Sequence, residues 1–271
     1  MLAFAANSLL CRFALRETRI DPATFTLVRL ASGALVLWLL VELRRGAGSA
    51  PRSGSWMSAL ALFAYAAAFS FAYTSLSAGT GALLLFGAVQ ATMILWGVSR
   101  GERLRTAQLG GLILAIAGLV VLVLPGIAAP PLVGSILMLS AGAAWGVYSL
   151  RGKAAGDPLA ATAGNFLRAL PFTVALSAVL LPWSRIDVAG AGYAFASGAV
   201  ASGVGYAIWY TALPALKAAT AATVQLSVPV LTAAGGILLL GEPLTLRFLL
   251  SSLAILGGIA LVVRQRRDRS I

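Results

Sequence analysis

Two stretches decide how this chain folds: residues 80–104, TGALLLFGAVQATMILWGVSRGERL, and residues 220–244, TAATVQLSVPVLTAAGGILLLGEPL. Both open on threonine and hold a second one in register, Thr92 and Thr232. Both close on Gly-Glu-x-Leu, at Gly101-Glu102 with Leu104 and at Gly241-Glu242 with Leu244. The offset of 140 residues carries on to Gly118 and Gly258. Upstream it shrinks in small steps, to 137 between Tyr73-Thr74 and Tyr210-Thr211, and to 136 between Asp21-Pro22 and Asp157-Pro158. Coincidences of Ala, Leu and Gly are cheap in an apolar chain. Ordered Asp-Pro, Tyr-Thr and Gly-Glu pairs are not, so the chain is read as an internal duplication.

The composition sets the solvent. Of 271 residues 60% are apolar and 10% charged, and the mean hydropathy is +0.94, too little charge for a water-facing surface of this size. Apolar runs bounded by Pro, Gly and charge fall at 1–15, 24–43, 56–75, 80–99, 106–124, 131–151, 160–182, 190–211, 217–239 and 245–264. Runs of about 20 residues cross a hydrocarbon core of about 30 Å. The first run is short, about 22 Å of helix at about 1.5 Å per residue. It lacks the basic start and small-residue cleavage site of a secretory signal, and the repeat leads us to expect further residues before Met1.

The expected fold is therefore all-α, a polytopic membrane protein of about ten helices in two five-helix repeats, over 1–125 and 131–264, with a basic cytoplasmic tail at 265–271. Five is odd, so the second repeat enters the membrane from the opposite side and the repeats are inverted.

A net charge of +12 does not mark a nucleic-acid binder, because the basic residues are scattered between apolar runs. Counted on alternate sides, one side holds thirteen (Arg44, Arg45, Arg52, Arg100, Arg103, Arg105, Arg151, Lys153, Lys217, Arg264, Arg266, Arg267, Arg269). The other holds four (Arg16, Arg19, Arg185, Arg247), and Arg12, Arg29 and Arg168 fall inside spans. The positive-inside rule then puts both termini in the cytoplasm and the chain in the cytoplasmic (inner) membrane. With no histidine and a single cysteine, Cys11, neither a metal site, a disulfide nor a cofactor is expected.

The residues at this point resemble the EamA-type transporters of the drug/metabolite transporter superfamily, over nearly the whole chain. The resemblance rests on Asn7 in the first span, Asp21-Pro22 and Arg29 entering the second, Tyr73-Thr74 with Leu76 closing the third, and Gly101-Glu102 closing the fourth. In the second half it rests on LSVPVLT at 226–232 and LLLGEP at 238–243. The main departure is the short first span. The resemblance implies ten helices, a central substrate cavity, and export or exchange of amino acids, metabolites or toxic compounds.

Polar and aromatic residues within spans are the candidate substrate-binding groups: Asn7, Arg29, Tyr73, Gln90, Trp145, Tyr148, Arg168, Trp209, Tyr210 and Gln225. A buried arginine or amide in a bilayer has to be paired or face a wet cavity, and the alternatives for each are helix-to-helix bonding or snorkelling. Trp38, Trp56, Trp96 and Trp183 read as interfacial belt residues at helix ends. Pro229 is a candidate hinge, since proline inside a helix frees a carbonyl. The eight carboxylates all fall at helix ends or in connections, which favours neutral, zwitterionic or anionic cargo over cations. The expected activity is secondary transport of small metabolites by alternating access, with no enzymatic chemistry. A non-transporting membrane scaffold and a membrane enzyme acting on lipid head groups are the alternatives; the enzyme would need clustered Asp, His or Ser groups that the sequence does not offer.

Overall fold

Asp21 and Asp157 begin the second helix of each half in the same way. Asp21 Oδ1 accepts from the backbone N–H of Ala23 and Thr24 at 2.9 and 3.0 Å, and Asp157 Oδ1 from Leu159 and Ala160 at 3.1 Å each. Proline follows in both, at a position where no N–H is needed. Thr26 Oγ1 then donates to Pro22 O and Thr162 Oγ1 to Pro158 O, each at 2.7 Å. The glycines of the repeated Gly-Glu pairs are alike too, Gly101 at φ +89° and Gly241 at φ +62°, where a Cβ is penalised. The duplication is thus written in backbone geometry as well as in sequence.

This computed structural model describes residues 1–45, 53–101, 104–126, 128–152, 156–212 and 224–266. Its helices are α1 (Leu2–Glu17), α2 (Pro22–Arg45), α3 (Trp56–Tyr73), α4 (Ala78–Ser99), α5 (Thr106–Val123), α6 (Leu132–Gly152), α7 (Pro158–Val179), α8, α9 (Ser227–Leu240) and α10 (Leu246–Arg266). Three consecutive segments make up α8: an α-helical Val188–Ala196, a π-helical Ser197–Val204 and an α-helical Gly205–Ala212. Seven of the described helices, α2 to α7 and α10, are long and apolar enough to cross a membrane. Of the others, α1 has 16 residues, α9 has 14, and α8 is interrupted by its π segment. The ten expected spans fall on these ten helices in order. The start of the ninth, with Thr220 and Lys217, lies outside the described residues, as do Glu102 and the end of the basic tail.

Several contacts between helices have counterparts when each helix is exchanged with the one five places later. The contact of α3 with α6 has its counterpart in α8 with α1, that of α4 with α6 in α9 with α1, and that of α3 with α7 in α8 with α2. The pairs α2·α7, α4·α9 and α5·α10 map onto themselves. Small residues let the backbones approach: a Cβ on Gly111 of α5 would meet Gly258 O of α10 at 2.6 Å. The protein is an all-α multi-pass membrane protein, and among its described residues the helices form two sets of five with matching contacts. Trp38, Trp56, Trp96 and Trp183 stand exposed on its outer surface.

Candidate functional site

A small cavity lies among helices of both halves. Its walls are Phe4, Asn7 and Ser8 of α1, Tyr65 and Phe69 of α3, Leu85 and Phe86 of α4, Trp145 of α6 and Tyr206 of α8, with Gln225 just ahead of α9. These elements are the three exchangeable pairs α1/α6, α3/α8 and α4/α9. The accessible space is only about 20 Å³, room for about one water. Aromatic rings supply most of the wall. Trp145 packs 4.7 Å from Tyr65 and 5.3 Å from Tyr206 between ring centres, and Phe4 sits 5.6 Å from Tyr206.

Polar groups converge on the same level. The Tyr65 hydroxyl accepts from Arg29 Nη2 at 2.9 Å and from Asn7 Nδ2 at 3.4 Å, while Asn7 Oδ1 accepts from Ser197 Oγ at 2.7 Å. Arg29 Nε reaches Ser202 Oγ at 3.5 Å. The guanidinium carbon stands 4.9 Å from the Phe69 ring centre and 5.2 Å from that of Tyr65, within cation–π range. Arg29 is 1% exposed, and its Nη1 has no hydrogen-bond partner. Both serines that hold this network belong to the π segment of α8, where the wider turn re-aims side chains. Gly198 in that segment lies directly against Arg29 O and Ser32 Oγ, so α8 and α2 touch backbone to backbone beside the arginine.

The candidate residues read from sequence fall into several places. Asn7, Trp145 and Gln225 line the cavity, and Arg29 stands one layer behind it, against Tyr65 and Phe69. Tyr148 stacks on Trp145 at 5.2 Å, and Trp209 meets the edge of Phe4 at 6.1 Å. Tyr73 is buried and donates to Ala78 O at 3.2 Å, within the turn between α3 and α4. Gln90 is buried on α4 away from the cavity lining. Arg168 Nη1 donates to Ser53 O at 2.8 Å and Gly164 O at 3.0 Å, which pins the approach to α3. The side chain of Tyr210 lies outside the described residues. Pro229 follows a turn at Leu226, and its missing N–H leaves the Gln225 carbonyl without its helical donor.

Sequence reasoning missed Phe4, Tyr65, Phe69, Ser197, Ser202 and Tyr206. Tyr65 and Tyr206 carried a signal, a phenol in an apolar span, but the alternating small residues around them gave no phase. The serines depend on a π segment that leaves no residue pattern of its own.

A larger vestibule of about 290 Å³ lies among the start of α4, the α5–α6 link and the α9–α10 link, with Thr80, Glu242, Thr245 and Phe248 in its wall. Both Glu242 oxygens are already engaged there, one with Arg12 and one with the Ala78 N–H. The central cavity, backed by Arg29 with its unspent Nη1, is the better candidate.

The sequence profile of the EamA-like transporter family matches residues 1–124 and 132–264. An uncharacterized protein of Pseudomonas aeruginosa is 58% identical over 270 residues, covering 100% of this chain and 94% of that one. An uncharacterized transporter of Archaeoglobus fulgidus is 29% identical over 199 residues, covering 70% of each chain. A protein of known crystal structure superposes with a TM-score of 0.67 over 98% of both chains at 18% identity, a likeness of fold.

Proposed function

We propose that this chain, which belongs to the EamA-like transporter family, is a secondary transporter that carries small metabolites, amino acids among them, across the cytoplasmic membrane by alternating access. The transporter role itself comes with the family and with relatives named as transporters. The observation that carries the rest is the position of the cavity. It is lined by α1 and α6, by α3 and α8, and by α4 with Gln225 ahead of α9, so both halves contribute matching elements to its wall. Two inverted copies of one structure can trade conformations, opening one site first to one side and then to the other. In this reading the repeats are 1–125 and 131–264, both termini are cytoplasmic, and the excess of Lys and Arg between α2 and α3, α4 and α5, and α6 and α7 faces the cytoplasm.

The lining favours neutral, zwitterionic or anionic cargo, because no carboxylate stands among the cavity's residues. The test is flux in proteoliposomes with a broad panel of amino acids and other metabolites. Saturable uptake and counterflow of at least one member are expected. Absence of flux and of binding for every member overturns the reading.

A further inference from the structure

We infer that Arg29 is the anchor for a substrate carboxylate, so that the cargo is a small organic acid with an apolar body; this rests on the transport reading above. A guanidinium in the membrane interior needs compensation, and at 1% exposure Arg29 does not snorkel. Among the described residues the ion pairs are Arg12 with Glu242 and Arg16 with Glu17, and no carboxylate lies within ion-pair distance of Arg29. Its partners are one phenol, one distant serine and two ring faces, and the whole of Nη1 is unspent. An acceptor brought by a ligand completes this set, and a planar carboxylate suits the guanidinium fork.

Tyr65 connects the arginine to the cavity. A hydroxyl has two lone pairs and one hydrogen. Both lone pairs face N–H donors, Arg29 Nη2 and Asn7 Nδ2, so the hydrogen is left to donate, and Tyr65 lines the cavity. The polar side of the site therefore presents donors. Beside Tyr65, the Asn7 Oδ1 acceptor already accepts from Ser197. The other lining side chains Phe4, Phe86 and Trp145 take apolar matter. Arg29 does not itself line the cavity, so contact between a ligand and Nη1 requires the side chains of Tyr65 and Phe69, which line the cavity and face the guanidinium, to move apart.

Binding to the purified full chain in lipid nanodiscs tests this, with two acid/amide pairs as probes: L-leucine and L-leucinamide, and 3-phenylpropionate and 3-phenylpropanamide. Each acid is expected to bind about tenfold or more tighter than its amide, the scale of a hydrogen bond to a charged group. Arg29→Gln is expected to abolish that ratio, and Arg29→Lys to keep part of it, since the charge stays and the fork is lost. Should Arg29→Gln fail to fold, the acid-to-amide ratio in the unaltered chain decides. Amides that bind as tightly as acids, an Arg29→Gln chain with unchanged acid affinity, or chloride competing as well as the acids each overturn the anchor. If the anchor fails while any panel member is carried into proteoliposomes, the transport reading stands. If none binds or moves, both fall together.

Discussion

Arg12 Nε lies 3.2 Å from Glu242 Oε1, an ion pair between α1 of the first repeat and the link that follows α9 in the second. The two side chains are 14% and 7% exposed. Glu242 Oε2 also accepts from the Ala78 N–H at 2.8 Å, at the start of α4, while Arg12 Nη1 donates to Tyr73 O at 2.9 Å. One carboxylate thus caps a helix of the other half and neutralises a part-buried arginine. Glu242→Gln keeps an acceptor for Ala78 but strips Arg12 of its counter-charge, and Glu242→Ala removes both. Removing one partner of a buried pair costs about 3–5 kcal/mol. Thermal unfolding in detergent is expected to rank the chains as unaltered, Glu242→Gln, Glu242→Ala, in falling Tm. Equal Tm values would show the pair to be incidental.

Asp21 makes stability pH-dependent at the membrane surface. Partial burial pushes its carboxyl upward, but bonds from the Thr24 side chain and from the N–H groups of Arg185, Thr24 and Ala23 outweigh that and hold it below its ordinary value of 3.8. A depressed carboxyl stabilises the fold fully above that ordinary value, and the contribution is lost as pH falls through the folded one. The Tm gap between the unaltered chain and Asp21→Asn, which can still cap α2, is expected to be constant from pH 7 to about 5 and to close below about 4. A gap that widens on acidification would contradict the assignment.

Gly198 and Gly192 sit on the same helix and separate packing from propensity. A Cβ on Gly198 would collide with Arg29 O and Ser32 Oγ, whereas one on Gly192 meets nothing within 4 Å. Gly198→Ala is expected to lose about 1–3 kcal/mol or fail to fold. Gly192→Ala is expected to be neutral or to gain up to about 1 kcal/mol in helix propensity. Denaturation of the two variants side by side measures this.

Water access distinguishes a working cavity from a packed seam. With the buried Cys11 replaced by serine, a cysteine at position 225 is expected to react with a water-soluble maleimide and to be protected by a transported substrate. At position 90, off the cavity lining, reaction is expected to be slower by about an order of magnitude. A scaffold with no moving site would leave both unreactive.

The fold was legible because hydropathy, charge bias and repetition constrain one another. Asp21 and Asp157 could be aligned from sequence, and in the structure they cap equivalent helices with equivalent bonds. Burial of Arg29 could be anticipated from its place in an apolar run, but its neighbours could not. Tyr65, Ser197 and Ser202 come from helices far apart in the chain, and their meeting depends on rotational phase. Phase is unreadable where a helix is apolar all round, as α4 is. Arg168 shows the converse. It has a similar address in its half, yet it serves the approach to α3 through Ser53, since the strict counterpart of Arg29 by the Asp-Pro offset is Asn165.

The π segment of α8 has no counterpart in α3, which is α-helical from Trp56 to Tyr73. A π turn inserts an extra residue, and each residue of an α-helix turns the chain by about 100°. Deleting one residue from 197–204 would therefore swing Tyr206 and Trp209 through about a quarter of a revolution, away from Trp145 and Phe4. The α3 and α8 walls of the cavity are thus built on unlike angular registers, although the two helices hold corresponding places in their halves. A guest held there meets two different surfaces, so under the alternating-access proposal it keeps a single polarity, head and tail fixed.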